Sequence, residues 1–311
     1  AGPIPPMRPQ SIWTKPMLEA VIDVGTNSAL LLVAEKTPAG WVAKLQKESI
    51  CRIGKDWEPG QNLSISALLR LESSLVEFRK SLALVGARLR SVGMTEAVRK
   101  AANPEEAIAV VRKVLGVEPA VLTGEEEGRL VRRAVAARYP DAKKLVVIDL
   151  GGGSLEIDNG KRAVSMPLGA VRMHEMFREK TREALLKHVK LAFREAEVKK
   201  PNYAGCTLVA VGGSATTLVA MELGLTDYDG LKVEGHELSV ELIDKWLEKL
   251  DKLPVNLRAK VPGLSAGRSE IITSGLTVLR FTLEHLKPET ACVSDLGLRW
   301  GLLLDAMGEL K

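Results

Sequence analysis

Short apolar runs alternate with amphipathic stretches along most of the chain, a pattern typical of α/β proteins. Three apolar runs within residues 18–50 predict a meander of strands, broken at Pro38-Ala-Gly40. Leucines and a phenylalanine at helical spacing predict an amphipathic helix over 64–86. A strand at 89–95 and a helix at 104–115 follow. The first part of the chain is therefore predicted to run strand, strand, strand, helix, strand, helix.

The order of three strands and a helix recurs after a short predicted strand at 117–122. The spacing of Thr123 and Glu126 predicts a capping box that begins a helix reaching Tyr139. Later helices are predicted at 168–176, 181–196, 239–251, 254–260 and 266–286, and later strands at 145–158 (a hairpin), 161–166, 207–211 and 290–293. An amphipathic helix at 296–310 is expected to cross back to the first half. This recurrence indicates an internal duplication.

One short motif, Asp-x-Gly-x-x-Ser, occurs at the tip of each predicted hairpin. The first copy is Asp23 to Ser28 and the second is Asp149 to Ser154. Glycine permits close backbone approach, and successive N–H groups in such a turn form an anion-binding concavity. A third glycine turn precedes a helix whose N-terminus favours anions. The predicted phosphate-binding residues of the three turns are Asn27, Ser28, Gly152, Gly153, Ser154, Gly212, Gly213 and Ser214.

Each copy of the motif also places a carboxylate at the end of a strand. We expect Asp23 and Asp149 to hold a hydrated Mg²⁺, or a water, and not to touch phosphate directly. An ordinary hairpin with an Asp-assisted turn is the alternative for either copy alone. Two copies with a third glycine turn favour phosphate binding.

Composition limits the class of protein. At 311 residues two domains are expected, and 46% hydrophobic with 27% charged residues is ordinary for a soluble globular protein. The net charge is 44 − 39 = +5, a mild basic excess that is compatible with a polyanionic ligand. Aromatic residues make up only 4%, which disfavours nucleic acid as a ligand. No apolar run approaches the length of a membrane span.

The remaining expectations concern location and boundaries. Residues 1–16 are rich in proline and lack an apolar core, so they are interpreted as a flexible extension and not as a signal peptide. Three widely spaced cysteines indicate a reduced, cytoplasmic protein. The predicted domains are 17–121 and 122–295, with 296–311 packing onto the first. A homodimer is an open possibility.

Further motifs carry a family resemblance. They are Thr123-Gly-Glu-Glu-Glu-Gly-Arg129, Thr95-x-x-x-Arg99-x-x-x-Asn103, Pro167-Leu-Gly-Ala-Val-Arg172, Val233-x-Gly235-His-Glu-Leu238 and Ser294-Asp-x-Gly-Leu-Arg299. With the hairpins, they make the chain resemble the short, two-domain form of the exopolyphosphatase/guanosine pentaphosphate phosphohydrolase family. The resemblance implies the actin-like ATPase fold: two ribonuclease-H-like domains with a cleft between them. Ala210-Val-Gly-Gly-Ser214 and Met94 depart from the usual family residues.

The resemblance also implies roles for acidic residues. Glu127 corresponds to the family's catalytic glutamate, a general base or water-orienting group, and its neighbour Glu126 is the second catalytic candidate as well as the capping-box residue. Asp149 and Glu156, at the two ends of the second hairpin, are expected to coordinate Mg²⁺ or another divalent cation, with Asp23 opposite. Arg99 is the candidate cationic clamp because a guanidinium bonds phosphate bidentately.

The leading functional hypothesis is a Mg²⁺-dependent exopolyphosphatase that releases terminal orthophosphate from inorganic polyphosphate. Guanosine pentaphosphate hydrolysis uses the same chemistry and is the first alternative. Phosphotransfer to ADP or a small acceptor is the second, and a non-catalytic sensor of such phosphates is a third. Basic residues between Lys180 and Lys200 predict either a polyanion track or a solvated helix face.

Overall fold

The computed structural model describes residues 17–309, and the predicted extension at 1–16 lies outside them. The chain forms two five-stranded sheets, and the two sheets have the same topology. In each, three antiparallel strands are followed by two strands parallel to the first of them. The internal duplication therefore extends from the motifs to the strand order.

The first sheet is built from residues in the first 121 positions. Its strands are β1 (Leu18–Val24), β2 (Ala29–Thr37), β3 (Gly40–Ser49), β4 (Arg88–Met94) and β5 (Ala120–Val121), in the order β3-β2-β1-β4-β5. The helices between them are α1 (Ile65–Val85), α2 (Glu96–Arg99) and α3 (Pro104–Leu115). The strand predicted at 117–122 is reduced to the two residues that pair with the end of β4.

The second sheet repeats this plan. Its strands are β6 (Leu145–Leu150), β7 (Leu155–Asp158), β8 (Ala163–Met166), β9 (Thr207–Val211) and β10 (Thr290–Val293), in the order β10-β9-β6-β7-β8. The helices are α4 (Gly124–Arg138), α5 (Ala170–Phe177), α6 (Arg182–Glu195), α7 (Gly213–Glu222), α8 (Gly230–Val233), α9 (Val240–Asp251), α10 (Val255–Arg258), α11 (Ile272–Leu286) and α12 (Leu298–Ala306).

Among the predicted helices, α11 and α12 differ most from their predicted bounds. Helix α11 begins at Ile272 and not at 266, because the preceding residues form successive turns. There the Ser269 hydroxyl donates to the carbonyl of Ala266 at 2.9 Å, a local bond that competes with helix formation. Helix α12 is shorter than predicted and is followed by Gly308 in the left-handed region, at φ +69°.

The core consists of three layers of apolar side chains. One lies between the first sheet and helices α1 and α3, and another lies between the second sheet and the helices that follow α4. The third joins the two sheets: Val21 and Leu32 of the first, Val147 and Val209 of the second, and Leu302 of α12 belong to it. Helix α12 contacts β1, β4 and α4, so it lies between the two halves. Among the described residues, no helix is long and apolar enough to cross a membrane.

Close packing of α12 on α4 requires a glycine. A Cβ at Gly301 would lie 2.6 Å from the carbonyl oxygen of Leu130. We expect Gly301→Ala to lower the free energy of unfolding by about 1–3 kcal/mol, because the two helices must separate. Urea denaturation measures this. Gly297→Ala is the control, since its Cβ would have no neighbour closer than 3.8 Å; an equal loss in both variants would contradict the packing explanation.

Candidate active site

A cavity of about 390 Å³ opens where the tips of the two hairpins face each other. Both sheets contribute to it through the carboxyl ends of β1 and β6. Its walls include the segments Gly25–Ser28, Gly151–Ser154 and Gly212–Ser214, together with Asp23, Asp149 and Glu127. The structure thus brings all three predicted phosphate-binding turns to one cavity.

Equivalent hydrogen bonds close the two hairpin tips. The N–H of Gly25 donates to the carbonyl of Ser28, and the N–H of Gly151 donates to the carbonyl of Ser154, each at 3.0 Å. The second tip approaches the first so closely that a Cβ at Gly153 would lie 2.7 Å from the Thr26 hydroxyl. The hydroxyl oxygen of Thr26 is buried without a hydrogen-bond partner. The two tips therefore pack directly against each other beside the cavity.

The third turn depends on a glycine for two reasons. Gly212 has φ +93°, and a Cβ there would lie 2.4 Å from the carbonyl oxygen of Leu150 and 2.8 Å from Asp149 Oδ1. This close approach seats the N-terminus of α7 beside Asp149. Because α7 begins at Gly213, its first N–H groups face the cavity and favour anions. The residues at 210 and 211 that depart from the family pattern lie in β9, before the turn.

Asp23 and Asp149 lie close enough to influence each other. Burial and the charge of Asp149 raise the pKa of Asp23 to about 7, and Arg299 opposes this shift. Burial raises the pKa of Asp149 to about 6, and Arg299 again opposes it. Two carboxylates that resist ionisation together provide a site where a cation would stabilise both.

Of the three predicted metal ligands, two line the cavity. Among residues 17–309, no group of three or more His, Cys, Asp or Glu side chains is arranged to hold a metal. Asp23 and Asp149 share the cavity, whereas Glu156 is not part of its lining. Mg²⁺ commonly binds through one or two carboxylates and completes its shell with waters and substrate phosphates. The pair Asp23 and Asp149 fits that requirement, whereas Glu156 lies outside the cavity lining, opposite Asp149 in the hairpin.

Glu127 lies in the first turn of α4 with its side chain in the cavity lining. It is buried, and its Oε2 is 3.4 Å from Nη1 of Arg99. Burial and the charges of Glu156, Asp149 and Asp23 raise the pKa of Glu127 well above its usual range, while Arg99 opposes the shift. A carboxyl group with a raised pKa inside a cleft is a candidate for proton transfer near neutral pH.

The other catalytic candidate, Glu126, points elsewhere. Its side chain is exposed, accepts a hydrogen bond from the backbone N–H of Thr123 at 2.8 Å, and is not part of the cavity lining. The reciprocal bond from its N–H to Thr123 Oγ1 completes the capping box. Glu126 therefore positions the start of α4, and with it Glu127.

Glu156 is buried beneath α4. It pairs in register with Asp149 across the hairpin, but its Oε1 accepts a hydrogen bond from Ser165 Oγ at 2.7 Å. Its Oε2 is buried without a partner. Burial and Asp149 raise the pKa of Glu156 to about 8, against the opposing hydroxyl bonds and Arg99. The neutral acid is therefore favoured up to that pH.

We expect the stability of this region to depend on pH through Glu156. The folded protein holds this proton more tightly than the unfolded chain, so stability falls as pH rises from the ordinary glutamate range through about 8. Glu156→Gln removes the buried charge. It should leave the Tm unchanged at pH 5 and raise it by several degrees at pH 9. Thermal unfolding followed by circular dichroism tests this, with the exposed Glu195→Gln as control; a lower Tm at pH 9 would contradict it.

Arg99 does not line the cavity. Its guanidinium donates to the carbonyl of Leu122 and, at 2.8 Å, to Glu96 Oε2, besides approaching Glu127. Its cationic charge is thus matched by two carboxylates. The sequence predicted Arg99 as a phosphate clamp; in the structure its guanidinium contacts Glu127 from outside the cavity lining.

Two arginines that the sequence reasoning did not select do line the cavity. Arg299 is buried and donates to Asp295 Oδ2 at 2.6 Å and to Gln46 Oε1 at 3.0 Å. Its positive charge acts to lower the pKa of both Asp23 and Asp149. Arg268 donates to Thr217 Oγ1 at 3.2 Å and forms an ion pair with Glu48 of β3. In the sequence, Arg299 was marked only by its place in the motif Ser294-Asp-x-Gly-Leu-Arg299. Arg268 lay in a segment predicted as helix, and nothing marked it.

The chain is similar to several proteins of one phosphatase family. A family model described as the Ppx/GppA phosphatase family matches residues 32–310. Exopolyphosphatase 1 of Mycobacterium tuberculosis is 28% identical over 302 residues, which cover 91% of this chain and 86% of that protein. The crystal structure of the Aquifex aeolicus Ppx/GppA family member is 29% identical, with a TM-score of 0.76, and covers 94% of this chain and 98% of its own.

A second structure supports the fold alone. The crystal structure of an exopolyphosphatase from Cytophaga hutchinsonii has a TM-score of 0.83 at 21% identity, covering 94% of this chain and 98% of its own. Together with the repeated sheet topology, these similarities confirm the predicted fold class: α/β, with two ribonuclease-H-like domains of the actin-like ATPase type.

Proposed function

Because this chain belongs to the Ppx/GppA phosphatase family, whose members hydrolyse phosphoanhydride bonds, we propose that it is a metal-dependent exopolyphosphatase that releases terminal orthophosphate from inorganic polyphosphate. The observation that carries the proposal is the convergence of three glycine turns, two aspartates and Glu127 on one cavity. Phosphoanhydride hydrolysis needs a cradle for the phosphoryl group, neutralisation of its charge, and a positioned water. Each need has a candidate in this cavity.

The terminal phosphoryl group would rest among the hairpin tips and the N-terminus of α7. Backbone N–H groups there donate to phosphate oxygens. Arg268 and Arg299 add positive charge at the wall of the cavity. A divalent cation held by Asp23 and Asp149 would supply further neutralisation of the phosphate charge. These groups orient the bond to be cleaved and cancel the charge that repels a nucleophile.

Glu127 is the group that receives a proton from the attacking water. Its raised pKa makes it a stronger base than an exposed glutamate, and Arg99 holds the side chain in place through Oε2. The carboxylate form increases with pH, so the rate governed by Glu127 rises with pH through its pKa. Arg99 is thus proposed to position the base, not to clamp phosphate.

Guanosine pentaphosphate hydrolysis is the second candidate, and one observation favours it. Tyr228, an exposed residue, lines the cavity, and its hydroxyl donates to Asp295 Oδ1 at 2.5 Å. An anchored aromatic ring at the edge of a phosphate site offers a surface on which a base can stack. The same chemistry would then act on a nucleotide.

Side-by-side kinetics separate the candidates. The purified full chain with Mg²⁺ is given long-chain polyphosphate, guanosine pentaphosphate, or polyphosphate with ADP, and released orthophosphate and ATP are measured. We expect orthophosphate release from polyphosphate with the highest kcat/KM. Release from the nucleotide alone would replace the proposal with the second candidate. ATP formation exceeding orthophosphate release would identify a phosphotransferase.

A further inference from the structure

A second cavity of about 320 Å³ lies on the other side of α5 and α11 from the catalytic cavity. The two cavities share no lining residue, yet they border the same short segments. Ala170 and Ile272 face the catalytic cavity, while His174 of α5 and Thr273 of α11 face the second. Helix α5 and the start of α11 therefore border both cavities.

The second cavity is basic. Four basic side chains line it, Arg178, Lys180, Arg182 and Arg258, against one carboxylate, Glu270. Arg178 is 3.1 Å from Glu175 and Arg182 is 2.7 Å from Asp251. Within residues 17–309, neither Lys180 nor Arg258 has a carboxylate oxygen within 4 Å. Two cationic groups thus remain available to an anion.

Both available cations are held in place by neighbours. The ammonium of Lys180 lies 5.0 Å from the centre of the Phe177 ring, which itself lines the cavity. The Nε of Arg258 donates to the carbonyls of Leu250 and Leu253, each at 3.0 Å. The two Nη groups of Arg258 make no bond with these carbonyls. Lys180 and Arg258 are thus two positioned cationic donors in the lining of one cavity.

The rest of the lining matches phosphate chemistry. Hydroxyls of Thr181, Thr273 and Ser274 line the cavity beside the cations. Guanidinium, ammonium and hydroxyl donors together suit an anion with several acceptor oxygens. Glu270, the one lining carboxylate, is 3.5 Å from Nη1 of Arg52, which reduces its repulsion of an anion.

We propose that the second cavity binds phosphate groups of a polyanion whose reacting end occupies the catalytic cavity. Arg268 lines the catalytic cavity and Glu270, two residues later, lines the second. Arg52 contacts the same segment, since its Nη2 donates to the carbonyl of Gly267 at 3.3 Å and its Nη1 lies 3.5 Å from Glu270, so a polyanion that spans the cavities would pass this basic segment. The assignment of the ligand as substrate rests on the proposed function. The binding of phosphate at this cavity rests on its own geometry.

Chain-length kinetics test the proposal. Lys180→Glu is compared with Lys190→Glu, an equal charge change at an exposed lysine of α6 that does not line the cavity. We expect Lys180→Glu to raise KM for long-chain polyphosphate about tenfold, since one charge-assisted bond is lost. Its kcat, and its KM for tripolyphosphate, should match those of the unmodified protein. Lys190→Glu should change KM for neither substrate by more than about twofold.

Other outcomes have defined meanings. In one of them, pyrophosphate alters tripolyphosphate hydrolysis in the unmodified protein and in Lys190→Glu but not in Lys180→Glu. That result would show that the second cavity binds a separate phosphate compound: it would support phosphate binding there and overturn the assignment of the ligand as substrate. Equal effects of the two variants on long-chain KM would overturn the proposal, as a general surface charge would then explain them. If the protein hydrolyses no polyphosphate, direct binding of long-chain polyphosphate to the two variants still tests the cavity separately from the function.

Discussion

Replacing Glu127 by glutamine is expected to lower kcat for orthophosphate release by about 10²–10⁴, the usual contribution of a general base. Glutamine keeps the size of the side chain and a carbonyl that can accept from Arg99, but it cannot receive a proton. Because Glu127 is buried among other carboxylates, loss of its charge should not lower the Tm. Initial rates at saturating substrate, with thermal unfolding alongside, measure both effects.

The neighbouring Glu126→Gln is the matched control for that experiment. Glutamine also serves in a capping box, so the start of α4 should be retained and kcat should stay within about twofold. A hundredfold loss in Glu126→Gln would place Glu126 in the chemistry after all. Normal turnover by Glu127→Gln would remove Glu127 from the role of base.

Replacing Asp149 by asparagine is expected to lower kcat/KM by at least about a hundredfold and to raise the Mg²⁺ concentration needed for half-maximal activity. The substitution keeps one oxygen but removes a negative charge beside Asp23. In the unmodified protein the apparent Mg²⁺ affinity should weaken as pH falls through about 6, because protons then compete for the Asp149 carboxylate. Magnesium titrations of activity at several pH values measure this.

Asp158→Asn controls for the loss of a buried aspartate from the same hairpin. Asp158 lies in β7, accepts from the N–H of Gly160 at 2.6 Å, and does not line the cavity. We expect it to change stability without changing the Mg²⁺ requirement. An unchanged Mg²⁺ requirement in Asp149→Asn would exclude Asp149 as a ligand.

Local chemistry in the sequence was enough to locate the three glycine turns that meet at the cavity. Glycine, serine and aspartate at fixed spacing determine turn geometry almost independently of distant residues, and all the predicted turn residues line the cavity. The strand order could be expected from the resemblance, since pairing between distant strands leaves little mark on local pattern. The predicted start of α11 was wrong because the Ser269 side chain bonds locally to the backbone before the helix begins.

The roles of the charged side chains were harder to predict. Arg99 was predicted as a phosphate clamp, and in the structure its guanidinium lies between Glu96 and Glu127. Glu156 is on the predicted side of the hairpin, but α4 covers it through Gly124 and Gly128, and a Cβ at Gly128 would lie only 3.4 Å from Glu156 Cβ. Arg268 reaches Glu48 across 220 positions of sequence. Such contacts depend on tertiary packing, which no local spacing encodes.

The position of α12 has a consequence for how this protein folds. Its side chains complete the apolar layer that covers Val21 of β1 and Leu32 of β2, although they follow these two strands by more than 250 residues. During synthesis this face of the first sheet lacks its final cover until residues 298–306 leave the ribosome. Such long-range closure slows folding and leaves apolar surface open to aggregation. We therefore expect this face of the first sheet, made earliest, to stay exposed longest during synthesis.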